Sequence, residues 1–221
     1  MTRYDGHADW YHETFQGYAS APGSSGIVVR SVLGDTGGRW LDVACGTGLH
    51  FDAIGAAGRH VVGVDLSEDQ LRVAATDTVP LVRADATRLP FAAGAFDGVV
   101  ATYVHTDVDD VGPIFDEAAR VLRPGARFVY VGTHPCFVGH FVERRGDGRR
   151  VVHDGYFDAG WRDASPFFGP GLRRRVGERH ATLSELVNKL LGTGLRLVEV
   201  IEPHTDEIVP WNLALVAEKP A

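Results

Sequence analysis

The chain of 221 residues has only two cysteines, Cys45 and Cys136, and they form no metal-ligand spacing. That argues against a disulfide framework or a bound metal and points to a reduced, cytoplasmic setting. No stretch approaches the roughly 18 apolar residues of a membrane span, and Met1-Thr2-Arg3-Tyr4-Asp5-Gly6 has no apolar signal core. Basic charge is not in excess: the formal net charge is −7, which argues against general nucleic-acid binding, because phosphate contacts need a basic surface. Internal repeats and low-complexity tracts are absent too. What remains is ordinary globular composition, 44% hydrophobic and 23% charged. The length suits one α/β domain with a complete core and is too short for two comfortable ones. Charge is uneven along the chain, however. Between Arg144 and Arg179 nine Arg face five acids, a local +4 that leaves about −11 for the remainder.

From Arg39 onward apolar strands alternate with helices. Strands are expected at about 39–44, 60–65, 80–84, 96–102 and 126–132, and helices at about 48–57, 67–76 and 111–122. This is the rhythm of right-handed βαβ units on a parallel sheet. Upstream, Trp10, Tyr11, Phe15 and Tyr18 recur at roughly helical intervals, so residues 1–24 read as a small helical cap that ends at Pro22-Gly23-Ser24-Ser25-Gly26. A helix from about Ile27 to Leu33 follows. Arg123-Pro124-Gly125 is a helix stop and turn. Residues 137–179 break the rhythm, and a loop of that length inside a compact domain is usually a lid or binding element. Thr182-Leu183-Ser184-Glu185 reads as a capping box opening a helix to about Leu191. Strands at about 195–201 and 211–217 close the chain, joined by a connection short enough for a hairpin.

The most informative run is Trp40-Leu41-Asp42-Val43-Ala44-Cys45-Gly46-Thr47-Gly48, with Asp65 ending a second apolar strand 17 residues after Gly48. An acid ends the first strand, and a glycine turn opens a helix. Gly46 and Gly48 let backbone groups approach a ligand without Cβ obstruction, and Asp65 can accept both hydroxyls of a ribose. A dinucleotide site would place a small residue three positions after Gly48, but Phe51 stands there. NAD and FAD are therefore disfavoured. A ligand with a ribose and no phosphate fits better, and S-adenosylmethionine is the candidate.

Five segments in order strengthen this reading. They are Asp42-Val43-Ala44-Cys45-Gly46-Thr47-Gly48, Val64-Asp65-Leu66-Ser67, Arg83-Ala84-Asp85-Ala86 with Leu89-Pro90-Phe91, Phe96-Asp97-Gly98-Val99-Val100, and Ala119-Arg120-Val121-Leu122-Arg123-Pro124-Gly125. Over about residues 36–132, and more loosely over 180–220, the chain resembles class I S-adenosylmethionine-dependent methyltransferases of the small-molecule, ubiquinone-biosynthesis-like type. Ala44 replaces the first glycine of the family's loop. The resemblance implies an α/β, Rossmann-like fold in a single domain over residues 1–221. It would have a seven-stranded, mainly parallel sheet of order 3-2-1-4-5-7-6, only the last strand antiparallel, with helices on both faces. It also implies the cofactor contacts. Asp65 would take the ribose hydroxyls, and Asp85 would accept from the adenine amino group while Leu66 and Ala86 sandwich the ring. The backbone of Ala44, Gly46 and Thr102, beside Gly48, would hold the methionine end, with Asp42 positioning its amino group. Each acid also has a plain structural alternative: Asp42 capping the loop, Asp65 capping the helix over 66–76, and Asp85 as a turn acid.

Methyl transfer needs alignment of acceptor and sulfonium above all, with a base where the acceptor is a hydroxyl or protonated amine. Of 10 His, His105 follows the fourth strand, His134 the fifth, and His180 ends the insertion. These three, with Tyr11 and Tyr4 of the cap, are the candidate catalytic and acceptor-site residues, each with a packing role as the alternative. The insertion's arginines would either attract an anionic acceptor or be simply solvated. Its aromatics Phe137, Phe141, Phe157, Trp161, Phe167 and Phe168 suggest packing over an apolar cavity, or pairing with a second copy. The expectation is transfer of a methyl group from S-adenosylmethionine, leaving S-adenosylhomocysteine, to oxygen or nitrogen of a small, partly apolar molecule, by a monomer or homodimer. A non-catalytic S-adenosylmethionine-binding partner protein and a nicotinamide-dependent oxidoreductase are the alternatives. A nucleic-acid methyltransferase is disfavoured, since Ala101-Thr102-Tyr103-Val104-His105 carries no Asn/Asp-Pro-Pro-aromatic signature.

Overall fold

The computed structural model describes residues 2–21, 24–204 and 208–221. Met1, Pro22 and Gly23 of the expected break, and residues 205–207 of the final connection, lie outside the described residues. Five strands run in parallel: β1 (Arg39–Val43), β2 (His60–Asp65), β3 (Leu81–Arg83), β4 (Phe96–Thr102) and β5 (Leu122–Thr133). Four short strands of the insertion follow, β6 (Val142–Arg144), β7 (Arg150–Val152), β8 (Gly160–Arg162) and β9 (Glu178–His180), and then β10 (Arg196–Ile201) and β11 (Asn212–Glu218). The main sheet has the order β10-β11-β5-β4-β1-β2-β3. β11 is antiparallel to both its neighbours, so the seventh strand of the sheet alone runs against the rest. This is the topology expected for the resembled fold.

The helices are α1 (Ala8–Phe15), α2 (Ser25–Val32), α3 (Phe51–Gly55), α4 (Glu68–Ala74), α5 (Gly112–Val121), α6 (Arg173–Val176) and α7 (Leu183–Gly192). Strand alternation assigns the two faces. Leu41 and Val43 join Ile114, Phe115, Leu186 and Leu190 of α5 and α7 in one core. Trp40 joins Val28, Val29 and Ile54 of α2 and α3, and Leu71 of α4, in the other. Side-chain caps fix three helix starts: Ser24 accepts from the Ile27 N–H, Ser67 from Gln70, and Thr182 from Glu185. The first crossover helix is much shorter than expected. It ends at Gly55 and passes into a 3-10 turn in which Ala57 has φ 63°. The Pro124-Gly125 turn lies within β5: pairing jumps from Phe96↔Leu122 to Gly98↔Arg127, and Gly125 takes φ 76°.

The insertion is more ordered than its composition suggests. β6 pairs with β7 and β8 with β9, all antiparallel. Strands of three residues are too short to display alternation in the sequence. Phe141 and Phe168 are buried, but Phe157 is 85% exposed and lines no interior. Among the described residues no helix is long and apolar enough to cross a membrane.

Gly98 shows how tightly the centre of the sheet is packed. A methyl group there would sit 2.3 Å from the ring of Trp40 on β1. Gly98→Ala is therefore expected to cost about 1–3 kcal/mol of stability by overpacking. Urea unfolding measures it, and an unchanged midpoint would contradict the Trp40 placement.

Candidate active site

The loop after β1 is shaped by left-handed backbone at alternate positions: Ala44 (φ 57°), Gly46 (φ 53°) and Gly48 (φ 76°). Ala44 holds this conformation despite its Cβ, which is a strained arrangement for a non-glycine residue. At Gly48 a Cβ would lie 2.5 Å from the Phe51 ring. Phe51 thus packs onto the loop and onto Gly63 of β2, filling the place where a dinucleotide loop needs a small residue. Asp65 closes the loop. Its Oδ2 accepts from the Gly46 N–H at 2.8 Å and its Oδ1 from the Ser67 N–H at 2.8 Å. Ser67 itself caps α4, so the capping role considered for Asp65 falls to its neighbour. Burial raises the Asp65 carboxyl above its ordinary range, opposed by these amide hydrogen bonds.

Asp42, at the end of β1, is completely buried, and neither carboxylate oxygen has a partner among the described residues. Burial, and then the Asp65 charge, push its carboxyl well above the usual carboxylate range. The Thr47 hydroxyl and both polar atoms of the Gln70 amide are likewise buried without partners, and Gln70 Oε1 faces Gly46. Buried polar atoms of this kind call for a ligand or water. A cationic amino group would satisfy Asp42, and a chain of backbone width would fit against Gly46. The residues present therefore fit the methionine end of S-adenosylmethionine. Along the same edge Leu66 is 51% exposed, Ala86 is half-buried, and exposed Asp85 accepts from the Thr87 N–H and hydroxyl, each at 2.8 Å.

The β4 end brings in a residue that sequence reasoning passed over. His50 is buried, with Nδ1 3.2 Å from Thr102 Oγ1 and Nε2 2.8 Å from Ser25 Oγ. Burial pulls its pKa down to about 4. Beyond β4, His105 is buried with Nδ1 bonded to the Tyr130 hydroxyl. Gly132 makes room for the pair, since a Cβ there would fall 2.0 Å from Tyr130 Oη. Burial, followed by the charges of Arg173, His180 and Arg179, holds the His105 pKa down to about 3. His180 is buried against Phe141, Tyr156 and His140, and its Nε2 has no partner among the described residues. His134 is engaged at both ring nitrogens, Nε2 with Glu202 at 2.7 Å and Nδ1 accepting from the Cys136 N–H at 3.1 Å.

Over this edge the N-terminal segment and the insertion meet. Arg3 lies 3.9 Å over the Trp161 ring and bonds to Asp163 at 2.8 Å, while Arg175 lies 4.1 Å over Trp10. Beneath them Arg173 reaches Asp107 at 2.6 Å and the Thr106 hydroxyl at 2.7 Å, with Glu178 on its other side. Of the two expectations for the insertion's arginines, neither describes Arg173, an internal partner in an ion pair. Burial lowers its pKa, but the charge and hydrogen bond of Asp107, with Tyr4 and Glu178, together outweigh this and raise it. Tyr4 and Tyr11 are edge to face at 5.8 Å. Burial and then Asp107 raise both phenols above their ordinary range. The structure thus brings Tyr4, Tyr11, Asp107 and Arg173 together above Asp65, with His105 and His180 alongside, whereas His134 is tied to Glu202 beyond β10. No sequence signal marks the Arg173–Asp107 pair, because its members lie 66 residues apart.

Comparison with known proteins bears on the fold and the family. Residues 41–130 match the family described as methyltransferase domain. The match covers less than half of the chain. The demethylmenaquinone methyltransferase of Clavibacter sepedonicus is 43% identical to the chain over 105 residues, which are 45% of this chain and 43% of that protein. The chain therefore spans less than half the length of this curated relative. Over nearly the whole chain, the domain and its additions superimpose on an S-adenosylmethionine-dependent methyltransferase from Mesorhizobium loti, with TM-score 0.71 and 26% identity, covering 97% of this chain and 99% of that one. The cyclase SpnF shares the fold at TM-score 0.62 and 18% identity, over 92% of this chain and 85% of that one.

The depressed histidines make stability depend on pH. The unfolded chain takes up a proton on His50 near the ordinary histidine pKa of about 6.5, whereas the folded protein does so only near 4. Between these values the unfolded state binds more protons, so stability present above about pH 6.5 is lost as the pH falls towards 4. His50→Gln is expected to flatten the curve of unfolding free energy against pH in that window by up to about 1.4 kcal/mol per pH unit, the effect of one proton. Parallel curves for the two proteins would remove the buried neutral His50.

Proposed function

We propose that the chain is an S-adenosylmethionine-dependent methyltransferase acting on oxygen or nitrogen of a small, partly apolar molecule. The observation that carries this reading is the unpartnered, fully buried Asp42 carboxylate beside the left-handed loop of Gly46 and Gly48. When bound, S-adenosylmethionine supplies an electrophilic methyl group on a sulfonium. In this reading Asp42 holds the amino group, the backbone of Ala44, Gly46 and Thr102 lines the methionine end, and Asp65 takes the ribose. Leu66, Asp85 and Ala86 receive the adenine. The same reading gives one domain over residues 1–221, with residues 1–24 as a cap and 137–179 as a lid.

The acceptor is argued from the roof. The Clavibacter relative is named for demethylmenaquinone, but the family match ends at residue 130, before the insertion that covers the reacting edge. Asp107 and Glu178 flank Arg173, so this enclosed guanidinium is already compensated. Tyr4 and Tyr11 offer aromatic faces and neutral hydroxyls. A neutral, partly aromatic acceptor suits these surroundings.

The histidines favour transfer by alignment over transfer through a histidine base. With a pKa about 3, His105 is a weak base far from the pKa matched to neutral pH, and the Tyr130 bond fixes its orientation. His134 has no ring nitrogen to spare. Exclusion of water and in-line placement by the cap and insertion then do most of the catalysis.

Calorimetric titration with S-adenosylhomocysteine tests the cofactor reading. Asp65→Ala is expected to weaken binding by about 1–3 kcal/mol. Equal affinity would move the ribose elsewhere, and tight NAD binding would overturn the cofactor assignment. For the mechanism, release of S-adenosylhomocysteine is followed with a panel of aromatic alcohols and amines. His134→Gln and His180→Gln should each reduce turnover by less than about tenfold; a loss of ~10²–10⁴ in either would restore a histidine base.

A further inference from the structure

His50 sits where the two halves of the cofactor cleft meet. It immediately precedes α3 and follows the glycine loop by two residues. Its imidazole spans from Ser25, in the first turn of α2, to Thr102, the last residue of β4. Ser25 also interacts with the Tyr103 hydroxyl, which donates to Asn212 Oδ1 at 3.0 Å. Tyr103 takes left-handed backbone, φ 57°, so the chain turns sharply just after Thr102. A buried polar chain therefore runs from the glycine loop through β4 to β11. No sequence pattern requires a histidine at this place, where an apolar residue would pack as readily against α2.

We propose that His50 is a positioning residue for the cofactor site, bridging the glycine loop to the β4 end and so fixing the gap in which the methionine portion is held. The inference rests on the cofactor reading above and adds the device that sets the width of the cleft. Both partners are hydroxyls, each able to donate or accept, so either neutral tautomer of the imidazole completes the bridge. A protonated ring would have two donors, and the bridge would persist with both hydroxyls accepting. Burial opposes that form and keeps the ring neutral. The hydroxyl of Thr102 is the end that bears on the cleft, because in the cofactor reading the backbone of the same residue lines the methionine end. Ser25 anchors the other end to α2.

The two ends can be separated by substitution. In His50→Asn the side-chain amide falls near the place of Nδ1 and keeps the Thr102 contact. In His50→Gln it falls near the place of Nε2 and keeps the Ser25 contact. His50→Phe keeps a planar ring, somewhat larger than the imidazole, and removes both. Thr102→Val removes the contact from the opposite side without changing shape, and does not depend on any His50 variant folding. Each full-length protein is titrated with S-adenosylhomocysteine, and its thermal midpoint is measured alongside.

His50→Phe and Thr102→Val are each expected to weaken binding roughly tenfold, the effect of one lost hydrogen bond to a neutral group. The double variant should be no weaker than either single one, as expected for partners in a single contact. His50→Asn should recover affinity to within about threefold of the parent, and His50→Gln should not, although both keep an amide in the same cavity. Wild-type affinity in both His50→Phe and Thr102→Val overturns the proposal. So does affinity that follows the thermal midpoint across the series regardless of which end is kept. Failure of the parent protein itself to bind S-adenosylhomocysteine overturns the cofactor reading beneath it, an outcome recognisable before any variant is compared.

Discussion

The site depends on the pair of amide hydrogen bonds accepted by Asp65. One comes from Gly46, in the loop after β1, and the other from Ser67, at the start of α4. A single carboxylate thereby joins the ends of two adjacent parallel strands and aligns the loop with the helix that follows β2. The Gly46 N–H reaches Asp65 from a loop with left-handed backbone at Ala44, Gly46 and Gly48. With the loop drawn towards β2, Asp42 is left below it, enclosed and without a partner. The unpartnered carboxyl and the closed loop are two results of one geometry. Such unpartnered buried groups cost stability, and they are often found where a fold holds an ionisable group for a ligand.

A second layer of organisation lies above the sheet. Aromatic rings and guanidinium groups hold the N-terminal segment and the insertion to one another at the surface. Arg173 and Asp107 hold the insertion to the turn after β4 from within. Their environments differ, and so do their strengths. The Arg3–Asp163 pair is largely exposed and contributes little on its own. Removing one partner of the Arg173–Asp107 pair would leave the other charged and enclosed, which is much more costly. The roof is therefore firmly seated at its inner margin and loosely fastened at its outer one.

Much of this was legible in the sequence, and for identifiable reasons. The alternation of strands and helices, the glycine turn and the acids at the strand ends are local patterns, and the strand order was implied by the family resemblance that those motifs carry. The Thr182 cap was legible in the same way. The short α3 was missed because apolar residues at 51, 53 and 54 suit a longer helix, whereas the chain turns at Ala57 with a backbone that only the tertiary structure dictates. The paired strands of the insertion were missed because three-residue strands carry no period. His50 and Arg173 were missed because their meaning resides in partners 25 to 66 residues away, for which a single sequence offers no signal. Phe157 was assigned to an interior by composition alone, and composition does not distinguish a lining ring from an exposed one.

The Pro124-Gly125 bulge has a consequence for how the molecule changes over evolutionary time. By absorbing extra residues inside β5, it takes up slack between α5 and the strand core before the chain reaches the reacting edge. Everything beyond Thr133 then begins from a strand end whose height is set locally. An insertion of another length can follow there without disturbing the register of the strands before it. The recognisable family segment ends at residue 130, close to that seam. Downstream of it, the roof can differ, provided that whatever replaces Arg173 still answers the charge of Asp107.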